Sequence, residues 1–142
     1  MNFSGTILVI MAILKYYCIT ANEELALRVN KSYDDCFKEL NINNKDKKDF
    51  LDGNFDKMSE SGKCFVDCFA KRMDIITNTG INFTKLVEFY EYLWRLKPED
   101  LNKLDSIVNN CIPTSYNGKT DCEKALNAYV CLRKGAIENL KH

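Results

Sequence analysis

The sequence predicts an all-α fold of about six helices. Three observations carry this. Apolar residues recur at helical spacing along most of the chain after residue 21. No segment alternates with the two-residue period of a strand. Proline occurs only at Pro98 and Pro113, and the glycines fall mostly between apolar runs, as in helices joined by short loops. A chain of 142 residues argues for one domain.

The first stretch differs from the rest. From Ile7 to Leu14 every residue is apolar. That run falls short of the roughly 20 residues needed to span a bilayer and suits the apolar region of a secretion signal. Residues 1–21 are read as the signal, with Ala21 its last residue and Asn22 opening a mature domain of residues 22–142. Lys15 interrupts the run, the start lacks Lys and Arg, and Ile19 is bulky so near the cut. The alternative is a buried N-terminal helix.

In the body, residues 22–40 place Leu25, Val29, Tyr33, Cys36, Phe37 and Leu40 at helical spacing. A short helix around Phe50 and Leu51 is expected over 45–55. Residues 59–77 put Cys64, Phe65, Cys68, Phe69, Met73 and Ile76 on one side, and Asn78-Thr79-Gly80 breaks the pattern. Residues 82–96 are apolar on two sides, with Phe83, Leu86, Val87, Tyr90, Leu93 and Trp94 on one and Phe89, Tyr92 and Leu96 on the other. Such a helix is expected to be surrounded. Pro98 fits the first turn of the next helix, whose inner face carries Leu101, Leu104, Ile107 and Val108. Thr120 and Glu123 form a capping box for the last helix, with Ala125, Leu126, Tyr129, Val130 and Leu132 inward. Gly135 is expected to end it, leaving Ile137 and Leu140 in a tail.

Charge is balanced, at 20 basic against 20 acidic side chains. Lys15 is the only charged residue before Asn22, so the mature chain stays near neutral. It offers no electrostatic case for nucleic acid or an anionic membrane. No later segment reads as a membrane span, so the mature chain is expected to be soluble and exported.

The cysteines say most. Of seven, Cys18 falls in the presumed signal, leaving Cys36, Cys64, Cys68, Cys111, Cys122 and Cys131. An even number in a short exported chain reads as a disulfide framework. Cys64 and Cys68 share one helix face and are poorly placed to bond each other, so each is expected to reach a different helix. Cys122 and Cys131, on another helical segment, also need outside partners. Spacing leaves the pairing itself open. The rival reading is zinc, but Cys64 and Cys68 have no second close ligand pair, and the sole histidine is His142. No metal and no cofactor are expected.

Catalysis finds little support. His142 is a terminal residue, hard to hold in place as a base. The carboxylates Asp34, Asp35, Asp67, Asp74, Glu88 and Glu91 read as solvated helix faces. Phosphate-loop, EF-hand and nucleophile-elbow patterns are missing from the sequence. The chain is expected not to be an enzyme.

The spacing Cys36-x27-Cys64-x3-Cys68-x42-Cys111-x10-Cys122-x8-Cys131 resembles the six-cysteine signature of insect odorant-binding proteins, the pheromone/general-odorant-binding family. The x3 and x8 gaps are the fixed parts of that signature. Cys122-Glu123-Lys124-Ala125, running on to Tyr129 and Cys131, is similar to the family's last cysteine helix. The resemblance spans residues 22–142. It implies pairing of Cys36 with Cys68, Cys64 with Cys122 and Cys111 with Cys131. It also implies six helices around an apolar cavity for odorants, pheromones or other lipophiles. Partners then follow: a small hydrophobic ligand and a chemosensory receptor, with the chain a monomer or weak homodimer. Two features depart from the family pattern. The chain is near neutral where many members are acidic, and only eleven residues follow Cys131. With one terminal histidine, a histidine-driven release switch is not expected.

Candidate wall residues are Phe69, Met73, Phe83, Leu86, Val87, Tyr90, Leu93, Leu104, Ile107, Leu126 and Tyr129, with Ile137 and Leu140 folding inward from the tail. Plain core packing is the alternative for each. Tyr90 and Tyr129 add hydroxyls able to meet a ligand carbonyl or alcohol. Asn30-Lys31-Ser32 and Asn82-Phe83-Thr84 are acceptor sequons, but Asn82 is expected to cap a helix and glycans are not expected. The leading function is an extracellular carrier of small lipophiles. The alternatives are a secreted helical signalling or interaction protein, and the same fold used as a scavenger in saliva, venom or reproductive fluid.

Overall fold

The computed structural model of the protein describes residues 3–115 and 120–140. His142 lies outside the described residues, as does the side chain of Cys18.

The elements run α1 (Phe3–Glu39), α2 (Asn44–Asp52), a 3-10 turn (Phe55–Lys57), α3 (Glu60–Lys63) and α4 (Phe65–Arg72). A two-strand hairpin follows, β1 (Ile76–Thr77) and β2 (Gly80–Ile81). The chain then forms α5 (Phe83–Trp94), α6 (Asp100–Ser115) and α7 (Asp121–Asn139). Since α3 and α4 meet at Cys64, the described residues form six helical rods, and the fold is all-α. Helix α7 is the hub, packed against α6 and α4, and α4 in turn packs on α1.

Helix α1 has two unlike halves. Ile7, Leu8, Val9, Ile10, Met11, Ile13 and Leu14 are exposed, while Ser32 and Cys36 are buried. The run expected to be too short for a membrane continues without a break into the first body helix. By length and composition alone, Gly5–Glu39 is long and apolar enough to cross a bilayer, a test that signal sequences also pass.

Caps fix several ends. The Asn43 side chain accepts from the Asp46 amide at 2.8 Å, starting α2. Gly53 ends α2 in the left-handed region, at φ 78. The buried Asp46 carboxylate accepts from the Ser59 amide at 2.9 Å and from the Ser59 hydroxyl, tying α2 to the start of α3. Asn82 caps α5 by accepting from the Lys85 amide. Thr120 and Glu123 complete both arms of the capping box on α7.

Four expectations are corrected. The helix expected over 59–77 is split at Cys64 and stops at Arg72, because Asp74 takes a left-handed φ of 56. Ile76 therefore pairs with Ile81 in the hairpin, and Asn78-Thr79 is its tip. Strands of two residues are too short to show a period. Pro98 precedes α6, which begins at Asp100, whose carboxylate accepts from the Lys97 amide at 3.0 Å. Gly135 does not end α7. The helix runs on to Asn139, and Gly135 instead allows close approach to α6. The residues beyond it are thus helical, not a loose tail: Leu140 caps α7 and is buried, whereas Ile137 is 46% exposed.

Three disulfides join the rods. Cys36–Cys68 links α1 to α4, with Cα atoms 5.9 Å apart. Cys64–Cys122 links the α3–α4 junction to α7 at 4.5 Å. Cys111–Cys131 links α6 to α7 at 5.6 Å. These Cα separations suit disulfide bonding.

Candidate ligand-binding cavity

The core is two clusters of buried residues, bridged by Phe69 and Ile76, which pack against both. One holds Met73 at the end of α4, Leu86 and Tyr90 from α5, Leu104, Ile107 and Val108 from α6, and Leu132 and Leu140 from α7 and its cap. The other holds Cys36, Phe65, Val66, Ala125 and Leu126. Both border a cavity of about 510 Å³, a size usual for small-molecule sites.

Each wall comes from the inward stripe of one element. Helix α1 gives Val29 and Tyr33, and α2 gives Phe50. Helix α4 gives Phe65, Val66, Phe69 and Ala70, and Ile75, Ile76 and Ile81 close the hairpin side. Helix α5 gives Leu86, Phe89, Tyr90, Leu93 and Trp94. Helix α7 gives Ala125, Ala128, Tyr129, Leu132, Arg133 and Ile137. The aromatic rings touch in series. Phe65 stacks near Phe69 at 5.8 Å, Phe69 meets Phe89 edge-on at 5.4 Å, and Tyr90 meets Trp94 at 5.4 Å. On the far side Phe50 stacks on Tyr129 at 5.3 Å. Such ring pairs each add about 0.5–1.5 kcal/mol beyond burial.

Of the residues expected from sequence, Phe69, Leu86, Tyr90, Leu93, Tyr129 and Ile137 line this cavity. Met73, Leu104, Ile107 and Leu140 sit in the first core cluster without lining the cavity, and Val87 packs against that cluster. Leu126 belongs to the second cluster and borders an outer groove of about 820 Å³. Phe83, first residue of α5, is 37% exposed. The sequence reading missed Tyr33, Phe50, Phe65, Phe89, Trp94 and Arg133 as wall residues. Most stood on recognised stripes. Arg133 was readable too, being four residues after Tyr129 and four before Ile137 on one helix face.

The polar groups are few. Burial pushes the Tyr90 phenol well above its ordinary pKa, with Tyr129 adding to the shift. Burial also raises Tyr129, while the Arg133 guanidinium beside it works the other way. Tyr33 is raised by burial first, then by Asp34 and Tyr129. All three phenols are thus neutral at physiological pH, serving as hydrogen-bonding groups in an apolar setting. Among the described residues, no group of three or more His, Cys, Asp or Glu is placed to hold a metal ion.

Three disulfides thus cross-link helices that surround an aromatic cavity. The chain belongs to the PBP/GOBP family, whose model matches residues 20–135. Its fold is similar to that of pheromone binding protein 3 from Epiphyas postvittana, with a TM-score of 0.65. That likeness has 22% sequence identity and covers 77% of this chain and 96% of the other. Comparison with curated proteins gives no match.

Proposed function

We propose that this protein is a secreted carrier that takes up small hydrophobic molecules, such as odorants or pheromones, in the cavity between α1, α4, α5 and α7. The observation that carries this reading is the void of about 510 Å³ left among aromatic side chains in the middle of the domain. A protein selected only for stability fills such space, since cavities are destabilising. Family membership supports the same reading. Ligand uptake is then driven mainly by burial of apolar area, which discriminates weakly, so micromolar affinity for several ligands is expected.

Phe69, Leu86, Tyr90, Leu93 and Tyr129 are the proposed contact residues, with Ile137 at the edge. Met73, Val87, Leu104, Ile107, Leu126 and Leu140 support the wall from behind. Residues 1–21 act as the secretion signal. The apolar side chains of Ile7, Leu8, Val9, Ile10, Met11, Ile13 and Leu14 are exposed, and the family match begins near residue 21. Mass spectrometry of protein secreted from the full-length chain should show an N-terminus at Asn22. Retention of residues 1–21 on the secreted protein would refute this assignment.

The test of the carrier is displacement of N-phenyl-1-naphthylamine from the secreted, fully oxidised protein. Saturable uptake at one probe per chain, displaced by long-chain alcohols or esters, is expected. A monomeric, helical, oxidised sample that takes up no probe would overturn the carrier reading in favour of a signalling protein. The void argues against that alternative, because a helical signalling bundle depends on a dry core and an exposed patch.

A further inference from the structure

The cavity wall contains one charged side chain among the described residues, Arg133. Its position is constrained from three sides. The guanidinium lies over the Phe55 ring, 5.8 Å from the centroid. It lies near Gly53, where an added Cβ would fall 3.0 Å from Nη1. It also stands beside the Tyr129 hydroxyl. Among the described residues, no carboxylate forms an ion pair with Arg133. A half-buried guanidinium held against aromatic and backbone surface is a planar fork of donors matched to a carboxylate.

Arg133 and Ile137 also border the outer groove, so they form the partition between groove and cavity. The groove carries Asp56 and Glu138 as well as Lys57 and Lys134, which leaves Arg133 as its excess charge. An amphiphile whose head rests on this partition would lay its tail along Leu86, Phe89 and Trp94.

We infer that Arg133, with the Tyr129 hydroxyl, is a head-group site for a carboxylate, and that the preferred cargo is a long-chain carboxylic acid bound as its anion. This rests on the carrier reading above and adds the ligand class. Charge-assisted hydrogen bonds at a site partly open to water give a preference of roughly tenfold for the acid over its neutral ester.

The test uses secreted, oxidised protein and three probes of equal chain length: dodecanoic acid, methyl dodecanoate and dodecanol. Each is measured at neutral pH by displacement of N-phenyl-1-naphthylamine. The acid should bind roughly tenfold tighter than the ester, and R133Q should bring that ratio close to one. R133K, which keeps the charge but loses the fork, should leave an intermediate ratio and serves if R133Q is not secreted. A ratio near one in the unmodified protein, or an unchanged ratio in either variant, overturns the inference while leaving the carrier reading intact. Failure of all three probes and of the fluorophore would defeat the carrier reading and this inference together.

Discussion

Gly135 on α7 faces Ile107 on α6 so closely that a Cβ at Gly135 would stand 2.7 Å from the Ile107 Cγ2 methyl. Ile107 is 7% exposed and β-branched, so that methyl has little room to move. Gly135→Ala should therefore destabilise the fold by about 1–2 kcal/mol. Overpacking costs about 1–3 kcal/mol, and the better helix propensity of alanine returns up to about 1 kcal/mol. Thermal unfolding checks this. A variant at least as stable as the original protein would show that α6 and α7 are less tightly apposed than described.

The three disulfides close loops of different length. Cys64–Cys122 spans 58 residues and Cys111–Cys131 spans 20. In the chain-entropy description, removing the first should cost about 4 kcal/mol and the second about 3 kcal/mol. Paired Cys→Ala variants measured in denaturant give the comparison. The opposite order would mean that packing at the α6–α7 contact, and not loop closure, sets the cost.

Helical stripes made most of the architecture legible in advance. They showed the inward face of most helices, although Val130, expected inward, is 37% exposed, and the caps at Asn82 and Thr120 marked two starts. Stripes do not show whether the interior is filled. Met73, Leu86 and Leu104 are all buried in one core cluster, yet only Leu86 of the three also borders the cavity, as does Phe69 packed against that cluster. That difference depends on how the rods are spaced, which disulfides and ring contacts decide across long sequence distances. Cysteine spacing alone left the pairing open. Gly135 was misleading because glycine serves both to end a helix and to admit a neighbour, and only the facing Ile107 distinguishes the two roles. Arg133 was passed over because a charged side chain reads as solvent-facing until its position between Tyr129 and Ile137 is weighed.

Alkaline pH should loosen the fold in part through Tyr90. Its pKa is raised in the folded state above the ordinary phenol value of 10.0, burial being the main cause. The folded state thus holds the phenol proton more tightly than the unfolded state. The stabilisation is complete below pH 10.0 and is lost as pH rises towards the folded-state pKa. Tyr129 acts in the same sense, as do Lys45, Lys48 and Lys71, whose pKa values are raised by carboxylate partners. Tyr90→Phe isolates one contribution. Denaturation midpoints measured across the alkaline range should fall less steeply for Tyr90→Phe than for the unmodified protein. Identical slopes would place the Tyr90 hydroxyl in water.

Leu86 and Leu104 offer the sharpest separation of cavity from core. Both are buried, at 4% and 0% exposure, but Leu86 borders the void and Leu104 does not. A tryptophan at Leu86 has empty volume to enter, so Leu86→Trp should keep its helical spectrum and stay within a few degrees of the original melting temperature. It should weaken uptake of N-phenyl-1-naphthylamine by about tenfold, since the added ring takes up space and apolar surface that the probe needs. Leu104→Trp meets a closely packed cluster instead. It should cost about 3 kcal/mol or more, seen as a lowered melting temperature or failure to be secreted. If Leu86→Trp folds and binds the probe as before, Leu86 is not part of the ligand wall. If it unfolds as readily as Leu104→Trp, the space beside Leu86 is closed in solution.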